Sequence, residues 1–292
     1  MYKYVETVAN SGNDFFKGDL IMRKVLLATT ALVAMSVTAA KADITISGSQ
    51  AFDMEDNGAA TTFSSDGAVA ITGKSVTDSG LTLTASVNTT TQTGGTEDSY
   101  LDIAGEFGSI RMGDTDNALD RMDGALPSNF DIEGVGDTDV SHAIGDDVVG
   151  ISFISPAIGG ATVYGSTTAE GEENGMGVNY TAGPVTVMYQ MGQDGNSDET
   201  AVAVNFTMGD ITVGAGAANT DVAGTKTKYR SMGIKYSMGD ISLVATSQKK
   251  VGGDTYSNVG ASYAVAPGLT VAVESAKQAS TSATWASVSV AF

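Results

Sequence analysis

The stretch Ala283-Thr-Trp-Ala-Ser-Val-Ser-Val-Ala-Phe292 decides how this chain is read. Ala286, Val288, Val290 and Phe292 occupy every second position, with Trp285, Ser287, Ser289 and Ala291 between them. Strand side chains alternate with period two, so the first set shares one face and the second set the other. One face is apolar and the other mostly polar, and the aromatic residue comes last. Such a strand suits the wall of a membrane-spanning barrel, with lipid on one side and water on the other.

Composition agrees with many short strands. Glycine is abundant (36) and proline scarce (4), and cysteine is absent. Without cysteine there are no disulfides, no thiolate-bound zinc and no cysteine nucleophile. His142 is the one histidine, which excludes a multi-histidine metal site. No apolar run reaches the roughly 20 residues that a spanning helix needs, so any membrane crossing is made by strands.

The N-terminal region reads as a targeting segment. Met22-Arg-Lys24, an apolar core from Val25 to Val37 and the Ala40-Lys-Ala42 site have the three parts of a secretory signal peptide. Residues 22–42 are assigned to it, with cleavage after Ala42 and a mature chain of residues 43–292. Residues 1–21 have no place in that scheme. Lys17-Gly-Asp19 can be encoded by a purine-rich stretch containing AAGGAGA, as a translated ribosome-binding site would be. Met22 is therefore read as the start, and residues 1–21 as a mis-assigned upstream extension. The mature chain carries 31 acids against 10 bases, a formal net charge of −21. Such a surface does not bind nucleic acid, which needs a basic face.

Alternating segments fill residues 43–292, beginning near Ile44–Met54 and ending at Ala283–Phe292. They number about 16, the even count of a closed antiparallel barrel. Connections fall into two alternating sets. One is short, as at Gly183-Pro184, Gly209-Asp210 and Gly239-Asp240. The other is read as longer and acidic: Asp56–Asp66, Glu170–Gly175, Gln193–Glu199, Asn219–Gly224 and Gly252–Asp254. Short turns on one rim and longer loops on the other are expected of an outer-membrane barrel.

Tyr100-Leu-Asp-Ile-Ala-Gly-Glu-Phe-Gly-Ser-Ile-Arg-Met-Gly-Asp114 resembles the strand-turn-strand before the constriction loop of Gram-negative general porins. Val149–Pro156 with Gly159-Gly160, Val178–Pro184 and Phe292 are also similar to porin segments. The resemblance implies an all-β fold: a transmembrane antiparallel barrel with one long loop folded inward, assembled as a homotrimer in the outer membrane of a Gram-negative bacterium. It implies passive diffusion of small hydrophilic solutes and ions, without catalysis or cofactor, amid outer-membrane lipid and lipopolysaccharide. It also makes Phe292 part of the signal read by the barrel-insertion machinery.

The long gap, residues 117–147, is then the constriction loop. Asp120, Asp123, Asp131, Glu133, Asp137 and Asp139 lie in it, with Arg121 as its one base. Long loops in compact proteins are usually functional or disordered. Folded inward, these carboxylates form one wall of an eyelet. Alternation supplies the other wall: Lys74 lies opposite Val69 and Ile71, Arg111 opposite Ile110 and Met112, and Lys235 opposite Ile234 and Tyr236. A base on the lipid face at mid-membrane costs about 2–4 kcal/mol, which favours the inward placement. The excess of acid predicts mild cation selectivity.

Two other readings compete. A secreted or surface-attached acidic, β-rich adhesion or calcium-binding protein would share the leader, glycine and acidity. Gly113–Asn117 and Gly136–Asp139 resemble pieces of calcium loops, but neither is followed by the bidentate Glu of an EF-hand. A barrel enzyme would need a nucleophile beside His142, and no Gly-x-Ser-x-Gly elbow is present.

Overall fold

The computed structural model describes residues 42–90, 96–115, 126, 148–168, 171 and 173–292. The leader (22–42, but for Ala42) and the upstream segment (1–21) lie outside these residues. So do all six loop carboxylates assigned above.

Sixteen strands form one closed antiparallel barrel, each hydrogen-bonded to its neighbours in sequence, with β1 closing on β16. In order they are β1 Asp43–Asp56, β2 Thr61–Val76, β3 Thr82–Thr90, β4 Thr96–Gly105, β5 Gly108–Thr115, β6 Val148–Ile154, β7 Ala161–Thr168 and β8 Glu173–Ala182. Then follow β9 Val185–Asp194, β10 Ser197–Met208, β11 Ile211–Val222, β12 Thr225–Met238, β13 Ile241–Lys250, β14 Thr255–Ala266, β15 Leu269–Gln278 and β16 Thr281–Ala291. Closure leaves no sheet edge, so backbone amides in the wall pair strand to strand without water.

Alternation sorts the wall into two faces. On β10, Val202, Val204, Phe206 and Met208 are exposed, while Glu199, Ala201 and Ala203 are buried. On β16, Val288 and Val290 are exposed and Ser287 is buried. Large apolar side chains thus cover the outside, and the buried residues are small or polar and face the lumen. This inverts a water-soluble protein, as lipid requires. Trp285 lies on the lumen face against Ala276 and Ala283.

The connections correct the sequence reading. Residues 57–60, 195–196, 223–224 and 279–280 join their strands on the rim expected to carry longer loops. The last three have two residues each, as short as 183–184, 209–210 and 239–240 on the other rim, and 57–60 has four. The acidic stretches read as loops are mostly strand: Asp66 is in β2, Glu173 in β8, Asp194 in β9, Glu199 in β10 and Asp221 in β11. Pairing continues beyond the apolar band, because backbone hydrogen bonds do not require apolar side chains. Only the connection between β5 and β6 is long.

Candidate pore and its lining

Residues of the lumen wall line up across strands. The register pairs Asp43 with Lys74, Lys74 with Thr84, Thr84 with Asp102, Asp102 with Arg111, and Arg111 with Ser152. One hydrogen-bonded row across β1–β6 thus presents acid, base, hydroxyl, acid, base, hydroxyl. Arg111 is fixed within it. Its Nε donates to Asp102 Oδ2 at 3.4 Å, and its guanidinium lies 3.8 Å from the centre of the Tyr100 ring. The carboxylate and the ring face hold the cation from two sides.

The two other predicted bases are held more loosely. Lys74 is exposed near the short-turn end of β2, two residues along from Thr72, whose hydroxyl bonds that of Ser86. Lys235 is exposed on β12, on the face that carries buried Ser231 and Gly233. It pairs in register with Thr212 and with buried Val244.

Sequence reasoning missed the acids of the lumen wall. Asp53, Glu173, Glu199 and Glu274 are all buried on that face. Glu173 and Glu199 fall in acidic stretches that the sequence reading assigns to loops. Asp53 stands between apolar Phe52 and Met54, and Glu274 follows the apolar alternation Leu269, Val271, Val273 on the opposite face, a signal that could have found both.

One residue of the long connection is described, and it is buried. Leu126 is 4% exposed and packs against Ala201 and Ala203 of β10 and Ala218 of β11, with Met188 and Tyr229 beside it. These alanines belong to the lumen face. The connection leaves the wall at β5 and returns at β6, so Leu126 touches the wall about five strands away. From β10–β11 the Lys74–Arg111 row lies roughly halfway round the barrel. The small alanines leave room there for a leucine.

The profile of the Gram-negative porin family matches residues 28–292. The chain belongs to that family. A porin whose structure was refined at 1.8 Å resolution superposes with a TM-score of 0.71 at 20% identity, covering 86% of this chain and all of that one. A mutant of the Rh. blastica porin gives 0.72 at 18% identity over the same shares. A loop-deletion mutant of OmpT, an outer membrane protein of Vibrio cholerae, gives 0.70 at 15%, covering 86% of this chain and 99% of that one. A comparison with curated proteins found no match. This porin is an outer-membrane channel of a Gram-negative bacterium, in a family of passive pores rather than of enzymes. In barrels of this kind the rim that bears the long loop faces outward.

Proposed function

We propose that this porin passes small hydrophilic solutes and ions through an eyelet and prefers cations. The observation that carries the reading is Leu126, buried against the lumen face of β10 and β11. That burial supports an inward path for residues 117–147. Asp120, Asp123, Asp131 and Glu133 flank Leu126 in sequence, and on this reading they form the acidic side of the eyelet with Asp137 and Asp139, opposite the basic wall of Lys74, Arg111 and Lys235. A transverse field of this kind orders water and favours polar solutes over apolar ones.

Selectivity follows from the balance of charge. A unit charge about 5 Å from an ion contributes on the order of 1 kcal/mol even at the dielectric constant of water. Buried Glu199 and Glu274 add to the acid side of the lumen. The mature chain, residues 43–292, assembles as a homotrimer after removal of residues 22–42, and Phe292 takes part in recognition by the insertion machinery. No catalytic residue or cofactor is required, and calcium bridging of the acidic loop is the weaker reading.

The test is the reversal potential of the folded protein in a planar bilayer under a salt gradient. A cation-preferring potential supports the eyelet. An anion-preferring one overturns it.

A further inference from the structure

Trp285 stands between two carboxylates on the lumen face. Its register partners are Glu55 of β1 and Glu274 of β15, and both Trp285 and Glu55 are half-buried, so the lumen reaches them. One row further from the rim of the long connection, Asp53 pairs with Ser287 of β16 and Ser64 of β2. In the row after that, Asp66 lies opposite Ala51. Alternation puts Asp53, Glu55 and Asp66 on the lumen side, with Phe52 and Met54 pointing outward between and beside them. Four acids thus occupy three successive rows, and like charges so placed repel unless a cation lies among them.

The carboxylates themselves point to a cation. Asp53 is 9% exposed, and the buried Oδ1 atoms of Asp53 and Asp66 accept no hydrogen bond. A buried carboxylate oxygen without a donor is costly unless a positive charge lies beside it. The lumen faces of β15, β16 and β1 carry no lysine or arginine, and the base on that of β2, Lys74, is at the other end of the strand. The class of cation follows from this same wall. At Arg111 the Asp102 carboxylate and the Tyr100 ring face grip a guanidinium that the chain supplies. An aromatic face beside carboxylates recurs at Trp285, on strands whose lumen faces supply none. A guanidinium is planar, stacks on an indole and offers N–H pairs at its edges to carboxylates on either side. Among the described residues no three acids converge as the ligands of one metal ion do, so an extended cation fits the spacing better.

We propose that Trp285, Glu55, Glu274 and Asp53 form a lumen site for small guanidinium-bearing solutes. The guanidinium lies on the indole face, its N–H groups donate to Glu55 and Glu274, and Asp53 and Asp66 add negative potential beside it. The site stands between the rim of the long connection and the Lys74–Arg111 row. It rests on the proposed passage of small cations through the lumen, but not on the path of residues 117–147.

Trp285 is the one tryptophan of the chain, so its fluorescence reports the site without a label. The folded full-length mature barrel, in detergent micelles at constant ionic strength, is titrated with methylguanidinium, methylammonium and methylurea, the last a neutral molecule of the same shape as the first. Methylguanidinium should change the emission saturably and bind about five-fold more tightly than methylammonium, and methylurea should leave the emission unchanged. Glu55→Gln and Asp53→Asn should each weaken binding about three-fold, and the double variant about ten-fold. Asp254→Asn, in an exposed outer turn, should bind as wild type does. Trp285→Leu, read by block of the single-channel current and therefore only in folded channels, should bind about five-fold more weakly. An equal response to methylurea, or wild-type affinity in the double variant, would overturn the site. The reversal potential separates this failure from that of the eyelet. A cation-preferring potential without saturable binding removes this site alone, and saturable binding with an anion-preferring potential removes the eyelet alone.

Discussion

Phe292 lies over Gly48. The amide of Gly48 donates to the Phe292 carbonyl at 3.0 Å, and the amide of Phe292 donates back to Gly48 at 2.9 Å. A Cβ added at Gly48 would stand 2.7 Å from Cζ of the ring and 2.8 Å from the carbonyl oxygen of Ala68. The missing side chain therefore lets the ring cover the seam where β1 meets β16.

Two variants test that seam. Gly48→Val forces the ring away and presses on the Ala68 carbonyl, an overpacking that costs about 1–3 kcal/mol. Phe292→Ala removes the ring but keeps the backbone pair. Both should lower the yield of heat-modifiable barrel, and Gly48→Val should also lower the urea midpoint. Unchanged yield and midpoint in both would show that the ring contributes nothing to closure.

Ala223 and Ala279 sit in two-residue hairpins with φ of 49° and 50°. Side chains beyond glycine disfavour that region by roughly 1–2 kcal/mol. Ala223→Gly and Ala279→Gly should each stabilise the barrel, by about 0.5–1 kcal/mol once the looser unfolded chain is counted. Urea unfolding in one lipid measures the shift, and a lower midpoint in both variants would refute the strain.

The alternation of Ala283–Phe292 made the two faces of the wall legible, because the lipid-water division imposes period two on every strand. The strand-turn-strand Tyr100–Asp114 located β4, β5 and the long connection. Loop lengths were not legible. Glu199 and Asp221 look like loop residues because their stretches are acidic, yet strand pairing persists where the wall leaves the apolar band. The lumen wall was legible only in part: alternation put Lys74 and Arg111 on one face, but the Tyr100 ring under Arg111 depends on register. The anchor at Leu126 has no local signature. A leucine in an acidic loop acquires meaning only from three alanines brought beneath it by β10 and β11.

Neutralising the basic row should move selectivity toward cations. Lys74→Gln and Arg111→Gln together remove two positive charges facing the permeation path, and Arg111→Gln also frees Asp102 from its partner. The reversal potential should rise toward the cation limit, and more so in low salt, where screening is weaker. Asp102→Asn, which leaves the Arg111 charge unopposed, should shift it the other way. Shifts of one sign in all variants would mean that the row does not face the ions.

The long connection allows the strongest test, because its charge and its anchor can be changed separately. Asp120→Asn, Asp123→Asn, Asp131→Asn and Glu133→Gln in one chain should lower cation preference and alter conductance. Asp254→Asn, in the exposed outer turn after β13, should do much less, since salt screens charges beyond about 8–10 Å. Leu126→Ser keeps every charge but gives up apolar burial on Ala201, Ala203 and Ala218, for which about 1.5–3 kcal/mol is typical of a leucine. If that burial draws the connection inward, the variant should show larger and noisier single-channel conductance together with weaker cation preference. Wild-type conductance and selectivity in Leu126→Ser would show that the anchor does not set the eyelet. If the four neutralised carboxylates then had no more effect than Asp254→Asn, the connection would lie outside the ion path.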